Sequence, residues 1–268
     1  MIVNAHAHIY PDKIAERAVH GIESFYNIKA GLDGTVSGLL ADGEKAGVSR
    51  FIVQSVATVP EQVQTINNFI AKSVVENPEK FIGFGTIHPD FPDIACEIDR
   101  LASLGLRGIK LHNDFQRFNI DDERAFPIYE AAEGRLPILF HMGDERYDYS
   151  APERLLRVIE KFPRLTVIGA HFAGWSLWDR AASVLGGTGI YTDCSSSLYA
   201  LTPEHAAEII AKFGADRVMW GTDYPMWSCA EELERFYKIP LSEREQSLIL
   251  GENALRLVGE GYWATPHN

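Results

Sequence analysis

Short runs of apolar and β-branched residues recur along the chain, and longer segments with helical periodicity separate them. Several of these runs are apolar on both faces, which is typical of buried parallel strands. In the intervening segments apolar residues recur every three or four positions, as at Ile94, Ile98 and Leu101, which predicts helices packed on the strands. Eight strands are predicted, over residues 2–9, 50–56, 81–87, 106–112, 137–141, 165–171, 189–194 and 217–223.

Helix-start signals fall between the predicted strands. Ser150 with Glu153, and Ser242 with Glu245, have the spacing of a capping box, in which a serine and a glutamate satisfy the first backbone N–H groups of a helix. These signals predict helices that begin just after residues 150 and 242.

Eight strands that alternate with helices predict an α/β fold, the (β/α)8 TIM barrel. An open doubly wound sheet is the alternative, but no Gly-x-Gly-x-x-Gly follows the first predicted strand. No linker-like segment divides the chain. We therefore expect a single domain over residues 1–268, with residues 260–268 as a loose C-terminal tail.

Histidines are concentrated at the ends of the predicted strands. The carboxyl ends of barrel strands form one rim, so residues that are far apart in sequence meet there. Imidazoles together with a carboxylate are typical ligands of zinc and similar ions. The residues at these ends are six of the nine histidines, His6, His8, His88, His112, His141 and His171, and one carboxylate, Asp223.

Composition narrows the possible partners. The formal net charge of -12 disfavours attraction to nucleic acid or to an anionic membrane surface, so a small-molecule substrate is expected. The three cysteines are widely spaced and do not form the pattern of a disulfide framework, which favours a cytoplasmic location. At 268 residues and 46% hydrophobic, the chain can bury a barrel core.

The order of these residues resembles the metal-dependent amidohydrolase superfamily. His6-Ala-His8 on strand one, His141 after strand five and His171 after strand six carry the resemblance together with Gly221-Thr-Asp223-Tyr-Pro after strand eight. The last motif and the following Gly251-Glu-Asn-Ala-Leu-Arg-Leu resemble the branch that includes aminocarboxymuconate-semialdehyde decarboxylase. The resemblance covers essentially the whole chain.

The resemblance implies a metal site with named ligands. His6, His8, His141 and Asp223 would bind one divalent ion, and His171 would lie beside a metal-activated water as a catalytic residue. Asp223 would also accept the proton of that water and so have a second, catalytic role. Neutral imidazoles and a carboxylate suit zinc, with manganese or another divalent ion as the alternatives.

Four further residues are expected to contact the substrate. Lys110 and His112 end the fourth predicted strand, and Arg146 and Trp175 follow the fifth and sixth. Some members of the superfamily use a carboxylated lysine on strand four to bridge two metals. We expect instead that Lys110, or His112, binds an anionic group of the substrate.

Two reactions fit this set of residues. The first expectation is hydrolysis of a small polar, carboxylated ester, lactone or amide by a metal-activated water, because the chain does not show the large insertion found after strand one in many decarboxylases of the branch. The alternative is non-oxidative decarboxylation on the same scaffold, and a non-catalytic metal- or ligand-binding barrel is a third interpretation. Barrels of this branch are often homodimers.

Overall fold

The computed structural model describes residues 1–259, so the predicted tail over residues 260–268 lies outside the described residues. Eight parallel strands form one sheet in the order of the sequence. They are β1 (Val3–His8), β2 (Arg50–Gln54), β3 (Phe81–Thr86), β4 (Gly108–Leu111), β5 (Ile138–Phe140), β6 (Val167–Gly169), β7 (Tyr191–Asp193) and β8 (Val218–Met219).

Helices follow the strands and cover the outside of the sheet. They are α1 (Asp12–Tyr26), α2 (Val36–Ala46), α3 (Val63–Glu76), α4 (Ile94–Ser103), α5 (Asn113–Gln116), α6 (Phe126–Ala132), α7 (Pro152–Lys161), α8 (Trp178–Leu185), α9 (Pro203–Phe213), α10 (Cys229–Phe236), α11 (Glu243–Ser247) and α12 (Asn253–Val258). A π-helical segment, Leu248–Glu252, joins α11 to α12. Among these helices of residues 1–259, none has the length and apolar character needed to cross a bilayer.

Backbone hydrogen bonds bring the first strand against the last. Ala5 N–H donates to the carbonyl of Trp220 at 2.9 Å, and His8 N–H donates to the carbonyl of Tyr224 at 2.7 Å. The sheet is therefore closed into a barrel, and the predicted (β/α)8 architecture is confirmed.

Two apolar layers stabilise the barrel. The outer layer lies between strands and helices, whereas a smaller inner cluster fills the lumen and includes Ile52, Phe84 and Met219. Helix α12 contributes Ala254 and Leu257 to this inner cluster. Hence α12 closes the N-terminal end of the barrel, and polar residues occupy the opposite end of the lumen.

A register shift in β1 directs both histidines into the barrel. Simple alternation predicts that Asn4 shares a face with His6 and His8, but this prediction is wrong. The pairing with β2 shifts between Asn4 and Ala7, so Ala5 and His6 both point inward, while the Asn4 amide donates outward to Thr222 Oγ1 at 2.8 Å. A bulge of this kind re-aims the side chains that follow it.

The later strands are shorter than the sequence predicts. His141 comes directly after β5, while His171 and Asp223 lie in the loops that follow β6 and β8. Their side chains thus belong to the rim of the barrel and not to the strands themselves.

Ser150 does not cap α7 as predicted. The helix begins at Pro152 with Ala151 at the cap position and no side-chain cap. The Ser150 hydroxyl instead lies 2.9 Å from Asp114 Oδ2 and 2.6 Å from the carbonyl of Gly143, so its hydrogen bonds are made within the rim. The box at Ser242 and Glu245 is present as predicted.

Glu232 on α10 is a buried carboxyl outside the metal region. Its Oε1 accepts from Arg235, while Oε2 has no partner among the described residues. Burial is the main cause that raises the pKa of Glu232 to about 7, against an ordinary value of 4.5. The folded state therefore keeps the proton to higher pH than the unfolded chain does, so the stability contributed by this group is full below pH 4.5 and is lost as the pH rises through 7.

We predict that Glu232→Gln removes this pH dependence, because the amide cannot ionise. The unfolding free energy of the variant should rise relative to the parent by up to about 3 kcal/mol between pH 4.5 and pH 8, as expected for a shift of this size. Urea unfolding at a series of pH values measures the difference. Glu234→Gln, on the exposed face of the same helix, is the control and should give no such trend; a parallel trend in both variants contradicts the prediction.

Candidate metal centre

Three side chains meet inside the rim with atoms that are suitable metal ligands. His6 Nε2 lies 3.2 Å from His8 Nε2 and 3.3 Å from Asp223 Oδ1, and His8 Nε2 lies 3.5 Å from the same oxygen. The Ser196 hydroxyl donates to Asp223 Oδ2 at 2.7 Å, which turns Oδ1 toward the two imidazoles. Strands at opposite ends of the sequence thereby contribute to one centre.

Asp193, at the end of β7, fixes the orientation of His6. Its Oδ2 lies 3.0 Å from His6 Nδ1, and its Oδ1 accepts from the backbone N–H groups of His171 and Ser195. When His6 Nδ1 carries the proton toward this carboxylate, Nε2 is left as an electron-pair donor facing Asp223. This arrangement of a carboxylate behind a histidine is common at protein metal sites.

Sequence reasoning missed Asp193. The seventh predicted strand ends at residue 194, but Cys194 belongs to the outer apolar layer, and the residue before it points inward. The sequence contained a signal for Asp193. Side chains alternate along a strand, so residues 193 and 194 point to opposite faces, and a carboxylate buried at this position requires a partner because its burial is otherwise costly.

His141 and His171 form a second pair on the other side of His6. His171 Nε2 lies 3.1 Å from His141 Nδ1, and the ring of His171 stacks on that of His6 with centroids 5.0 Å apart. His171 Nδ1 lies 2.9 Å from the carbonyl oxygen of Ser195, so this nitrogen carries a proton and Nε2 faces the histidines. His141 thus approaches the centre through Nδ1, next to His171. Its own group of potential ligands is formed with His112 and Asp114, separate from the group of His6, His8 and Asp223.

The outer nitrogen of His141 also has partners. Its Nε2 lies 3.1 Å from the hydroxyl of Tyr26 and 3.7 Å from Asp114 Oδ2. Tyr26 comes from α1 and also contacts His112 Nε2 at 2.9 Å. Sequence reasoning did not identify Tyr26 or Asp114, since neither follows the strand-end pattern.

Two of the site residues have left-handed backbones. His171 has a φ of 62° and Asp223 a φ of 54°, and the two residues after His171 are also left-handed. Such conformations are costly for residues other than glycine and are concentrated at functional sites. Backbone hydrogen bonds hold the turn, including one from Phe172 N–H to the carbonyl of Asp193 at 2.6 Å.

The charge state of these groups fits a divalent cation. Burial, and then the nearby Lys110, lower the pKa of His6 to about 4, and burial also lowers the pKa of His8 and of His141. Burial alone would raise the pKa of Asp193, but His6 outweighs it and holds that pKa at about 2. Neutral imidazoles and ionised carboxylates are the forms that bind zinc or manganese.

Gln54 provides separate support for a bound group at this end of the lumen. It is fully buried and pairs with His8 in the register of β1 and β2, and neither its amide nitrogen nor its oxygen has a partner among the described residues. Buried polar atoms without partners are rare and commonly mark an ion, a water or a ligand.

Lys110 lies within the same centre. It is fully buried, and Nζ lies 3.4 Å from His6 Nε2. Burial lowers the pKa of its amine to about 8. The structure therefore places Lys110 beneath the histidines, and it is not among the residues that line the large cavity above them.

The other three expected substrate contacts differ in position. His112 lines the cavity and stacks on His141 with centroids 3.9 Å apart. Trp175 packs edge-on against Tyr26. Arg146 lies outside the cavity lining. It forms a two-point ion pair with Asp144 and donates to the carbonyl of Phe25, which ties the end of α1 to the loop after β5.

A cavity of about 620 Å³ extends from this centre to the surface. Its floor is formed by His8, His112, His141 and Asp223, and most of the remaining wall is apolar. Deep, mostly apolar cavities with a few converging polar groups are typical of small-molecule sites.

Comparison with known proteins identifies the family. A sequence profile described as amidohydrolase matches residues 3–259, which is nearly the entire chain. The chain belongs to this family. The predicted resemblance to the amidohydrolase superfamily is therefore confirmed.

Individual relatives are named as decarboxylases. A 2-amino-3-carboxymuconate-6-semialdehyde decarboxylase from Dictyostelium discoideum is 26% identical over 245 aligned positions, which cover 73% of this chain and 66% of the relative. The 5-carboxyvanillate decarboxylase of Sphingomonas paucimobilis shares the fold with a TM-score of 0.71 and 19% identity, over 96% of this chain and 98% of that structure. A dihydroxybenzoic acid decarboxylase from Polaromonas with bound manganese and 2-nitroresorcinol has a TM-score of 0.73 at 17% identity, over 96% of both chains.

These comparisons overturn the expectation of hydrolysis. The relative and the two solved structures described above are named decarboxylases, which favours the alternative reaction. The preference for hydrolysis depended on the absence of a large insertion after strand one. That argument fails, because the barrel matches 98% of the length of a named decarboxylase structure.

We predict that Asp193→Asn weakens metal binding by roughly 10- to 100-fold, the usual effect of removing a carboxylate behind a histidine ligand. The amide N–H₂ would donate to His6 Nδ1, which moves the imidazole proton to Nε2 and blocks the donor atom. Competition with a chromophoric chelator measures the affinity for zinc and for manganese.

Asp42→Asn is a control for that experiment, because Asp42 is also a carboxylate that accepts a backbone hydrogen bond, here from Cys229 at the start of α10. The control should bind metal as the parent does. Equal affinity in parent, Asp193→Asn and control would show that Asp193 does not orient His6.

Proposed function

We propose that this protein is a divalent-metal-dependent, non-oxidative decarboxylase of a small organic carboxylate. The observation that carries the proposal is the position of the histidine cluster at the floor of a largely apolar cavity. A substrate carboxylate loses its hydration there, which raises the free energy of the bound substrate. In the transition state the negative charge spreads from the carboxylate into the rest of the substrate, so the loss of hydration raises the free energy of the transition state less. The decarboxylase names of the relatives support the same reaction.

In this proposal His6, His8, His141 and Asp223 hold one divalent ion. The inward nitrogen atoms of the three histidines and Asp223 Oδ1 are the donor atoms, and manganese, which is bound in the Polaromonas decarboxylase, is as well suited to them as zinc. When bound, the ion would supply positive charge that attracts substrate oxygen atoms and stabilises negative charge developing on the substrate.

The reaction requires one proton at carbon. The bond between the substrate carbon and its carboxylate breaks, CO₂ leaves, the electron pair stays on the carbon, and a proton replaces the carboxylate. We assign the delivery of this proton to His171. Its Nδ1 is fixed by the carbonyl of Ser195, so Nε2, which lies 3.1 Å from His141 Nδ1, is the atom that can hold a second proton toward the cluster.

Asp223 acts as a ligand in this scheme. The proton-accepting role that hydrolysis would give it is not required, because no water is split during decarboxylation. His112 and Trp175 are proposed to contact the substrate: His112 from the cavity floor, and Trp175 from the small pocket that it lines together with His141 and Asp223.

We predict different effects for Asp223→Ala and His171→Ala. The first removes a ligand and should abolish both metal retention and CO₂ release, whereas the second should retain metal and reduce kcat by about 10²- to 10⁴-fold, as for loss of a general acid. CO₂ release from a panel of hydroxybenzoates and muconate semialdehydes measures activity, and elemental analysis measures bound metal. His205→Ala, on α9 and paired with Asp179, is the control and should change neither.

Three outcomes of the same experiment contradict the proposal. One is turnover of lactones in the panel with no CO₂ release. Another is full activity of protein from which metal has been removed. A third is loss of metal from His171→Ala to the same extent as from Asp223→Ala, which would make His171 a ligand.

A further inference from the structure

Helix α1 presents an apolar stripe to the cavity above the metal centre. Ile14, Ala18, Ile22 and Phe25 recur at helical spacing and line the cavity, and all four are half-buried. The other apolar face of α1 carries Ala15 and Val19, which are buried. One face thus packs on the protein, while the second remains partly open toward the cavity.

Another wall of the cavity has the same character. Ile66 and Phe69 of α3 line it and are also half-buried, and Val56 adds a further half-buried apolar side chain. Exposed apolar surface costs free energy in proportion to its area, so an apolar occupant gains from covering these walls. Hydrocarbon is therefore the complementary chemistry for the upper part of the cavity.

The charges of the cavity disfavour a second anionic group. Within residues 1–259 no lysine or arginine lines it, and the acidic groups that do are Asp223 at the floor and Glu61 at the exposed mouth. Arg146 is held by Asp144 and by the carbonyl of Phe25. A carboxylate placed far from the metal centre would lose hydration and find no cation there.

The volume also exceeds what a simple ring acid needs. About 620 Å³ equals the volume of about twenty water molecules. A dihydroxybenzoate has roughly half as many non-hydrogen atoms as the cavity has room for water molecules. Such a molecule would therefore leave much of the apolar wall uncovered.

We propose that the substrate is a monocarboxylate with an extended hydrocarbon substituent, which lies between α1 and α3 while the carboxylate reaches the metal centre. The proposal rests on the decarboxylase function and adds the substrate class to it. The neutral, apolar far end of the substrate is the feature that the cavity selects.

Binding of substrate analogues that lack the carboxylate tests the class without turnover. Calorimetry on the manganese-loaded protein compares resorcinol, 4-hexylresorcinol and a resorcinol with a chain of similar length that ends in a carboxylate. Since each buried methylene is worth roughly a fourfold gain in affinity, the hexyl compound should bind at least about tenfold tighter than resorcinol. Equal affinities of hexylresorcinol and resorcinol, no binding of any of them, or tightest binding of the carboxylate-ended chain overturns the proposal.

A charge placed on the α1 stripe should reverse this selectivity. Ile22→Arg is expected to remove the advantage of the hexyl compound and to raise affinity for the carboxylate-ended chain by about tenfold, because it supplies the missing cation. Ser24→Arg is the control, since Ser24 is exposed on the same helix and outside the cavity lining. Thermal unfolding verifies that both variants fold, and an equal effect of the two substitutions contradicts the assignment of this face.

Turnover separates failure of the substrate class from failure of the function. CO₂ release is measured from 2,6-dihydroxybenzoate with and without a 4-hexyl substituent, and the hexyl form should have at least a tenfold higher kcat/KM. Equal rates would leave decarboxylation standing and remove the hydrocarbon preference. Tight binding of hexylresorcinol without CO₂ release from either acid would keep the cavity selectivity and remove the proposed reaction.

Discussion

The contact between His6 and Asp193 connects the two halves of the site. It joins the first strand to the seventh across the mouth of the barrel, with 3.0 Å between Nδ1 and Oδ2. The same carboxylate accepts backbone N–H groups that hold His171 and Ser195. One buried charge therefore fixes a proposed metal ligand and the turn that carries the proposed acid. Its burial is tolerable because several donors surround it, as a buried carboxylate requires.

The sequence predicts the barrel and much of its rim for a simple reason. Parallel strands buried on both faces have a recognisable apolar pattern, and closure of the barrel brings their carboxyl ends together. The prediction failed where a local backbone feature changes the alternation. The bulge in β1 turns Asn4 outward. On β7 the side chain that points into the barrel is that of Asp193, one position before the predicted strand end at Cys194.

Contacts across the rim were beyond sequence reasoning for another reason. Tyr26 reaches His141 from a helix 115 positions away, and Ser150 binds Asp114 instead of capping its own helix. Neither pairing has a periodic signal, because it depends on how the long segment after β1 folds over the rim. The reaction type was equally hidden, since hydrolysis and decarboxylation use the same ligands and differ in the cavity above them.

The residues that stabilise the barrel and the residues of the candidate site lie at opposite ends of the barrel axis. The inner apolar cluster and α12 occupy the N-terminal end, where closure adds mainly apolar core. The left-handed residues, buried histidines and buried lysine lie at the opposite end and each costs stability. Because α1 and α3 form much of the upper cavity wall, changes there can alter what is bound while the histidine cluster stays fixed. The segments after β1 and β2 can therefore change substrate preference without any change to the rim histidines.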